Sequence, residues 1–332
     1  MLKNKLLTGL LLVSFSAPLL KAQDDITDLL KAGISDAEIL GEAYLKPYGD
    51  MMGRSLNGGW YNVASVHSPG GFNINIGINM SMVSSAGKTF DVNECISRMS
   101  DGWRLRNPSN HIAPTIAGSM ETQRPELRYN KDGDNIEFEL PDGTGLGIMP
   151  LPMIQVGIGL PLYTEIMGKF MPAINLSEYG KIGSWGIGLK HSFKEYVPFL
   201  KDVPHLQTSV LAGYSHMGIK MYLDDYAETD GDHELQLNSS GFIGRLLVGA
   251  EFPVISFYMG LGYGNTSSKF GLVGKYEVDD DILEDPITLN FKNNSFDANI
   301  GMRIKLGIFT LYGDYTIGDY PMVSAGFGFT VK

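Results

Sequence analysis

Cysteine is nearly absent. Cys95 stands alone in 332 residues, so the chain has no internal disulfide and no thiolate zinc site. Charge is sparse too: Asp, Glu, Lys and Arg make up 19% of the residues, where roughly 25% is usual. Basic residues are the minority, 26 Lys and Arg against 37 Asp and Glu, for a net charge of −11. A nucleic-acid partner needs clustered Lys and Arg, so that class is set aside. No stretch after residue 22 runs 18 apolar residues unbroken. That excludes a mature helical membrane protein, whose spans need about 20. What is abundant is glycine, 41 residues, with 16 Tyr and 16 Phe. This apolar and aromatic content argues against general disorder, and a glycine-rich, mostly β chain remains.

Met1 to Ala22 reads as a secretory signal peptide. Lys3 and Lys5 form the basic start, Leu6 to Leu20 the apolar run, and Leu20-Lys21-Ala22 the cleavage site before Gln23. A membrane anchor is the alternative, but the run is short and broken by Pro18. After Asp24-Asp25, the residues Ile26, Leu29, Leu30, Ile34, Ile39, Leu40 and Tyr44 fall near helical spacing, with acids at the N-terminal end. Gly33 with Ser35-Asp36 predicts a break and a second cap. Two short helices are expected, the second ending at Lys46-Pro47.

From Phe72 the period changes to two. Phe72, Ile74, Ile76, Ile78, Met80 and Met82 share one face; Asn73, Asn75, Gly77, Asn79 and Ser81 share the other. The pattern returns at Trp185-Ile187-Leu189, at Phe242-Leu246-Val248, at Phe296 to Leu306 and at Val323 to Val331. A soluble sandwich would turn the apolar face to a core. An outer-membrane barrel would turn it to lipid and its glycine-rich polar face to the lumen. Strands of ten to twelve residues match a tilted bilayer crossing. The expected fold is therefore all-β: a transmembrane antiparallel β-barrel of 10–14 strands, with short N-terminal helices as plug or periplasmic element. The soluble sandwich stays as the alternative.

Ten segments carry the alternation, near 72–83, 150–160, 163–171, 183–193, 206–222, 239–252, 254–265, 295–306, 308–317 and 322–332. An even count places both barrel ends on the periplasmic side. The connections 84–149, 223–238 and 266–294 then become long external loops. Residues 112–140 and 269–292 have room for further hairpins. The expected layout is a signal peptide at 1–22, a helical plug segment at 23–66 and a barrel at 67–332. The plug segment is either a gate inside the lumen or a periplasmic tail.

The segments Ala43-Tyr44-Leu45-Lys46-Pro47, Asn57-Gly58-Gly59-Trp60-Tyr61-Asn62-Val63-Ala64, Val156 to Pro161, Gly180 to Gly183, Gly186 to His191 and Ser209 to Tyr214 carry a resemblance. In these residues the chain resembles an uncharacterised family of outer-membrane β-barrel proteins from Bacteroidetes bacteria. The likeness runs over nearly the whole mature chain and implies an outer-membrane barrel without assigned chemistry. Helices ahead of a barrel are also similar, in architecture alone, to the FadL-type transporters of hydrophobic compounds. The Asn-Pro-Ala triplet of their plugs is absent here.

Chemistry is scarce. The histidines at 67, 111, 191, 205, 216 and 233 show no i, i+4 pair, and there is no nucleophile elbow or phosphate loop. Neither a metal, a cofactor nor an enzyme activity is expected. The acidic runs Asp224 to Asp232 and Asp279 to Asp285 read as solvated external loops, and Asp132-Gly133-Asp134 as a hairpin turn.

The lumen face carries both signs. Lys190, Arg245, Glu251, Asp297, Arg303, Lys305 and Asp314 are expected to face inward. They serve as a selectivity or latching set, or as a ladder stiffening a narrow barrel. Tyr44, Pro47, Trp60 and Tyr61 would shape the plug. The expected function is gated passive transport of a small hydrophobic solute through the bacterial outer membrane. The alternative is a non-conducting structural or accessory barrel whose long loops do the work. Outer-membrane lipid and lipopolysaccharide are the expected surroundings, and a small hydrophobic molecule the expected ligand.

Overall fold

The computed structural model describes residues 29–131, 134–175, 180–222, 234–278 and 281–331. The signal-peptide segment, the turn at 132–133 and the acidic residues at 224–232 and 279–280 lie outside them. Ten strands form the wall: β1 (Phe72–Met82), β2 (Ile148–Leu160), β3 (Thr164–Asn175), β4 (Gly180–Ser192), β5 (Leu206–Tyr222), β6 (Glu234–Glu251), β7 (Ile255–Val273), β8 (Ile287–Leu306), β9 (Phe309–Ile317) and β10 (Met322–Val331). Each pairs antiparallel with its neighbour in the chain, and β1 closes on β10 from Phe72↔Val331 to Ser81↔Met322. A closed ladder satisfies every strand edge, which hydrocarbon demands because it offers no water to a free N–H or C=O.

Burial is the reverse of a soluble sheet. Phe296 is 80% exposed while its neighbour Asp297 is 7% exposed. Ile74, Ile187, Leu261 and Ile300 likewise face out, while Asn75, Ser215 and Arg303 face in. Only a lipid surround makes that arrangement favourable, so the alternation expresses a transmembrane barrel and not a sandwich. The connections at 161–163, 252–254 and 307–308 are tight and 193–205 is longer at that same end, whereas 83–147 and 274–286 are long and 318–321 is short at the other.

Two differences from the sequence reading have physical causes. The wall continues through 234–238, 266–273 and 287–294, where loops were expected, so β7 and β8 reach 19 and 20 residues. Above the lipid the outward positions no longer need apolar side chains. The alternation therefore fades at Asn265, Ser267 and Asn294 while the hydrogen-bonded ladder goes on. The extra hairpins exist at 126–139 and 275–284 but pair in separate small sheets, and the wall stays at ten strands.

The N-terminal helix is the second difference. A short 3-10 turn (Leu29–Ala32) ends at Gly33, whose φ of 80° breaks the chain as expected. One helix, α1 (Ile34–Asn57), then runs straight through Pro47 instead of ending there. An interior proline costs about 3 kcal/mol. Packing against β8, β6, β7, β2, β1 and β5 inside the barrel outweighs it.

The outer half of α1 is wrapped by the connection 83–147. Leu40, Tyr44 and Leu45 share one core with Val92, Trp103 and Leu127 of that connection. From Leu29 at the long-loop end the chain therefore descends the lumen and enters β1 at the tight-turn end.

Candidate functional site: the lumen plug

At the outer end, the Asp36 carboxylate accepts the Ser100 N–H (3.0 Å) and the Trp103 indole N–H (2.9 Å). Tyr44 donates to the Asp142 carbonyl at 2.7 Å. Pro47 faces a cleft of about 630 Å³ between helix and cap, shared with Phe90, Cys95 and Tyr320. Burial pushes the Cys95 thiol up to about 11, which disfavours its thiolate.

Deeper in, helix and wall are tied by charge. Arg54 of α1 donates to Asp297 of β8 at 2.5 Å, and to the Tyr320 and Ile317 carbonyls at 3.1 and 3.2 Å. The second oxygen of Asp297 accepts from Arg245 of β6. Arg245 also donates to the Tyr61 hydroxyl at 3.0 Å, and Tyr61 donates to Asn299 at 2.6 Å. One wall carboxylate thus joins an arginine of the plug to an arginine of the wall, all three buried. Such a set is held only while every member is paired, because an unpaired buried charge is costly.

The end of α1 has its own fastening. The last carbonyls of a helix lack intrahelical partners and carry partial negative charge. The buried Lys169 ammonium of β3 bonds the Leu56 and Gly58 carbonyls and lies 4.3 Å over the Trp60 ring. The indole lies on bare wall. A Cβ at Gly188 or at its register partner Gly213 would come within 2.7 or 2.8 Å of it. Gly188→Val is therefore expected to push Trp60 from its seat and cost about 1–3 kcal/mol by overpacking. A red shift in tryptophan emission, with a lower unfolding temperature, would report it.

Below Trp60 the contacts turn neutral, then charged again. Asn62 bonds Asn75 at 3.1 Å, Asn75 bonds Gln155, and Ser209 donates to the Ala64 carbonyl at 2.8 Å. At the tight-turn end the His67 N–H and Nδ1 both meet Glu165 Oε2, at 3.1 and 2.9 Å. His67 Nε2 meets Thr330 at 2.8 Å, and Lys190 reaches the same Glu165 oxygen at 3.2 Å.

The residues singled out from the sequence divide into two sets. Tyr44, Trp60, Tyr61, Lys190, Arg245 and Asp297 belong to the seated plug or its wall contacts, with Pro47 on the cleft. Arg303 pairs with Glu251 at 3.1 Å, apart from the plug. Asp314 accepts from the Tyr258 hydroxyl at 3.2 Å, and Lys305 sits half-buried near the tight-turn end. Arg54, His67, Glu165 and Lys169 were missed. Glu165 and Lys169 share the inward parity of Met167, a signal that the sequence did contain.

Solved outer-membrane barrels are similar in fold. The outer membrane protease OmpT from Escherichia coli aligns at 9% identity over 79% of this chain and 97% of its own, with a TM-score of 0.37. The translocator domain of autotransporter NalP from Neisseria meningitidis gives 10%, 88%, 99% and 0.34. The toluene transporter TodX from Pseudomonas putida gives 7%, 79%, 90% and 0.27. Likenesses this distant carry no function. No curated protein sequence matches the chain significantly. Residues 1–331 match a family of unknown function, DUF6588, and the chain belongs to it.

Proposed function

We propose that the protein is a non-enzymatic outer-membrane barrel held shut by its own N-terminal segment. Its working surface is the folded cap outside, and the lumen is the mount for that cap. The observation that carries this reading is the continuity of α1. Its outer half is part of the cap core, while Arg54 and the helix end are locked to the wall. A helix built only to gate a pore would not need to share a core with the cap it leads from. The tight turns argue that the cap and residue 29 lie on the cell surface.

Cysteine labelling tests this orientation against a nearly silent background, since Cys95 is buried. Ile34→Cys and Met120→Cys, both at exposed positions, are expected to react with a membrane-impermeant maleimide on intact cells. Leu162→Cys, in the tight turn between β2 and β3, reacts only after the outer membrane is breached. The reverse pattern would sink the proposal.

A second reading is gated uptake of a small hydrophobic solute. It is favoured by the apolar lumen patch of Met167, Leu211, Ile243, Leu247 and Tyr258, which Trp60, Tyr61 and Ala64 fill. If the plug withdrew, that patch would receive an apolar molecule in their place. Because α1 adds no strand to the wall, withdrawal would leave the barrel's hydrogen bonds whole.

A further inference from the structure

The outer surface of the wall is uneven. On β9, β10, β1 and β2 the outward residues stay apolar to the long-loop end, at Ile317, Val323, Met82 and Ile148. On the taller strands the apolar band ends in four exposed aromatic residues. Trp185 of β4 and Tyr214 of β5 have ring centroids 5.8 Å apart, and Tyr263 of β7 and Phe296 of β8 have theirs 5.0 Å apart. Exposed aromatic rings at that height mark the interface between acyl chains and headgroups.

Lysines stand above each of these rings. Lys181, Lys220, Lys269 and Lys292 all face outward and are exposed. They lie four to six residues past Trp185, Tyr214, Tyr263 and Phe296, about 10–15 Å further up the tilted wall. Lys181 and Lys220 are direct register partners. Lys269 is opposite Asn290, two residues from Lys292 on the same face. Like charges directly opposite each other destabilise a sheet. Glu234, 3.1 Å from Lys220, is the one carboxylate that ion-pairs with this row among the described residues. In a chain of net charge −11, four cations gathered beyond an aromatic belt call for an outside anion.

We infer that this row binds the phosphates of the outer-leaflet glycolipid, with the aromatic belt against its acyl chains. The neutral side chains between the lysines, Asn238, Ser267 and Asn290, are placed to hydrogen-bond its sugars. The inference rests on the outer-membrane reading above and gives one side of the barrel a fixed lipid neighbour.

The test uses the full-length protein in non-ionic detergent, titrated with lipid A and with lipid A stripped of its phosphates. Retained lipid is read by mass spectrometry of the complex, and unboiled gel mobility shows that the barrel is folded. The variant Lys181→Ala, Lys220→Ala, Lys269→Ala, Lys292→Ala is expected to retain lipid A about six hundredfold more weakly, at roughly a fivefold factor per lysine near an anionic surface. Stripped lipid A should behave the same way with the unaltered protein. Equal retention by the folded variant, or equal retention of the stripped lipid, overturns the inference and leaves the outer-membrane reading standing. Recovery of the unaltered chain in the inner-membrane fraction overturns that reading itself.

Discussion

Replacing Asp297 by alanine is expected to unseat the plug. The change leaves Arg54 and Arg245 buried side by side without the carboxylate that both now share. Removing one partner of a buried ion pair typically costs about 3–5 kcal/mol, and here two cations lose their counter-ion at once. That corresponds to a shift of roughly a hundredfold to several thousandfold in the balance between seated and displaced plug. The wall need not unfold, because its hydrogen bonds run between strands and owe nothing to α1. The expected outcome is a barrel that keeps its folded gel mobility while Arg54 and the α1 backbone become open to protease and to amide exchange. Arg54→Met should do less, since Asp297 would keep Arg245. If Asp297→Ala leaves α1 as protected as before, the shared carboxylate is not what holds the plug.

Much of the wall was legible in the residues, and the reason is physical. Lipid outside and water-filled or polar contents inside impose period two on every crossing, so Phe72 to Met82 or Phe296 to Leu306 announce their faces without any tertiary information. The ladder above the bilayer was not legible, because Asn, Ser and Lys outside the lipid look like loop residues. The helix through Pro47 failed for a different reason. A breaker rule measures the local cost of proline and is blind to the strands that pack around it. The latching contacts were the least accessible. Arg54 and Asp297 are 243 residues apart in the chain, and His67 and Glu165 are 98 apart. Spacing could assign Asp297 and Lys190 to the inward face, but no sequence pattern names the partner across a closed barrel.

The central claim is that the N-terminal segment is what closes the barrel. The end of α1, from Gly53 to Gly58, fills the lumen at the level of Thr266 and Asn79, and Lys169 and Asp297 hold that end in place. Without the helix, the inward Asn79, Ser81 and Ser215 would be hydrated, beside apolar wall residues such as Met149, Met217 and Phe291. A barrel of ten strands is wider than the eight-stranded ones whose side chains alone can fill the bore. Removal of residues 24–66 therefore carries the largest expected effect in this protein, the change from a sealed wall to an aqueous path.

The most direct measurement is single-channel conductance in planar bilayers, comparing the full-length chain with the chain lacking residues 24–66, both verified as folded by unboiled gel mobility. The account predicts silence from the first and steady, ohmic openings from the second. Steady openings from the full-length chain, or silence from a folded truncation, would contradict it.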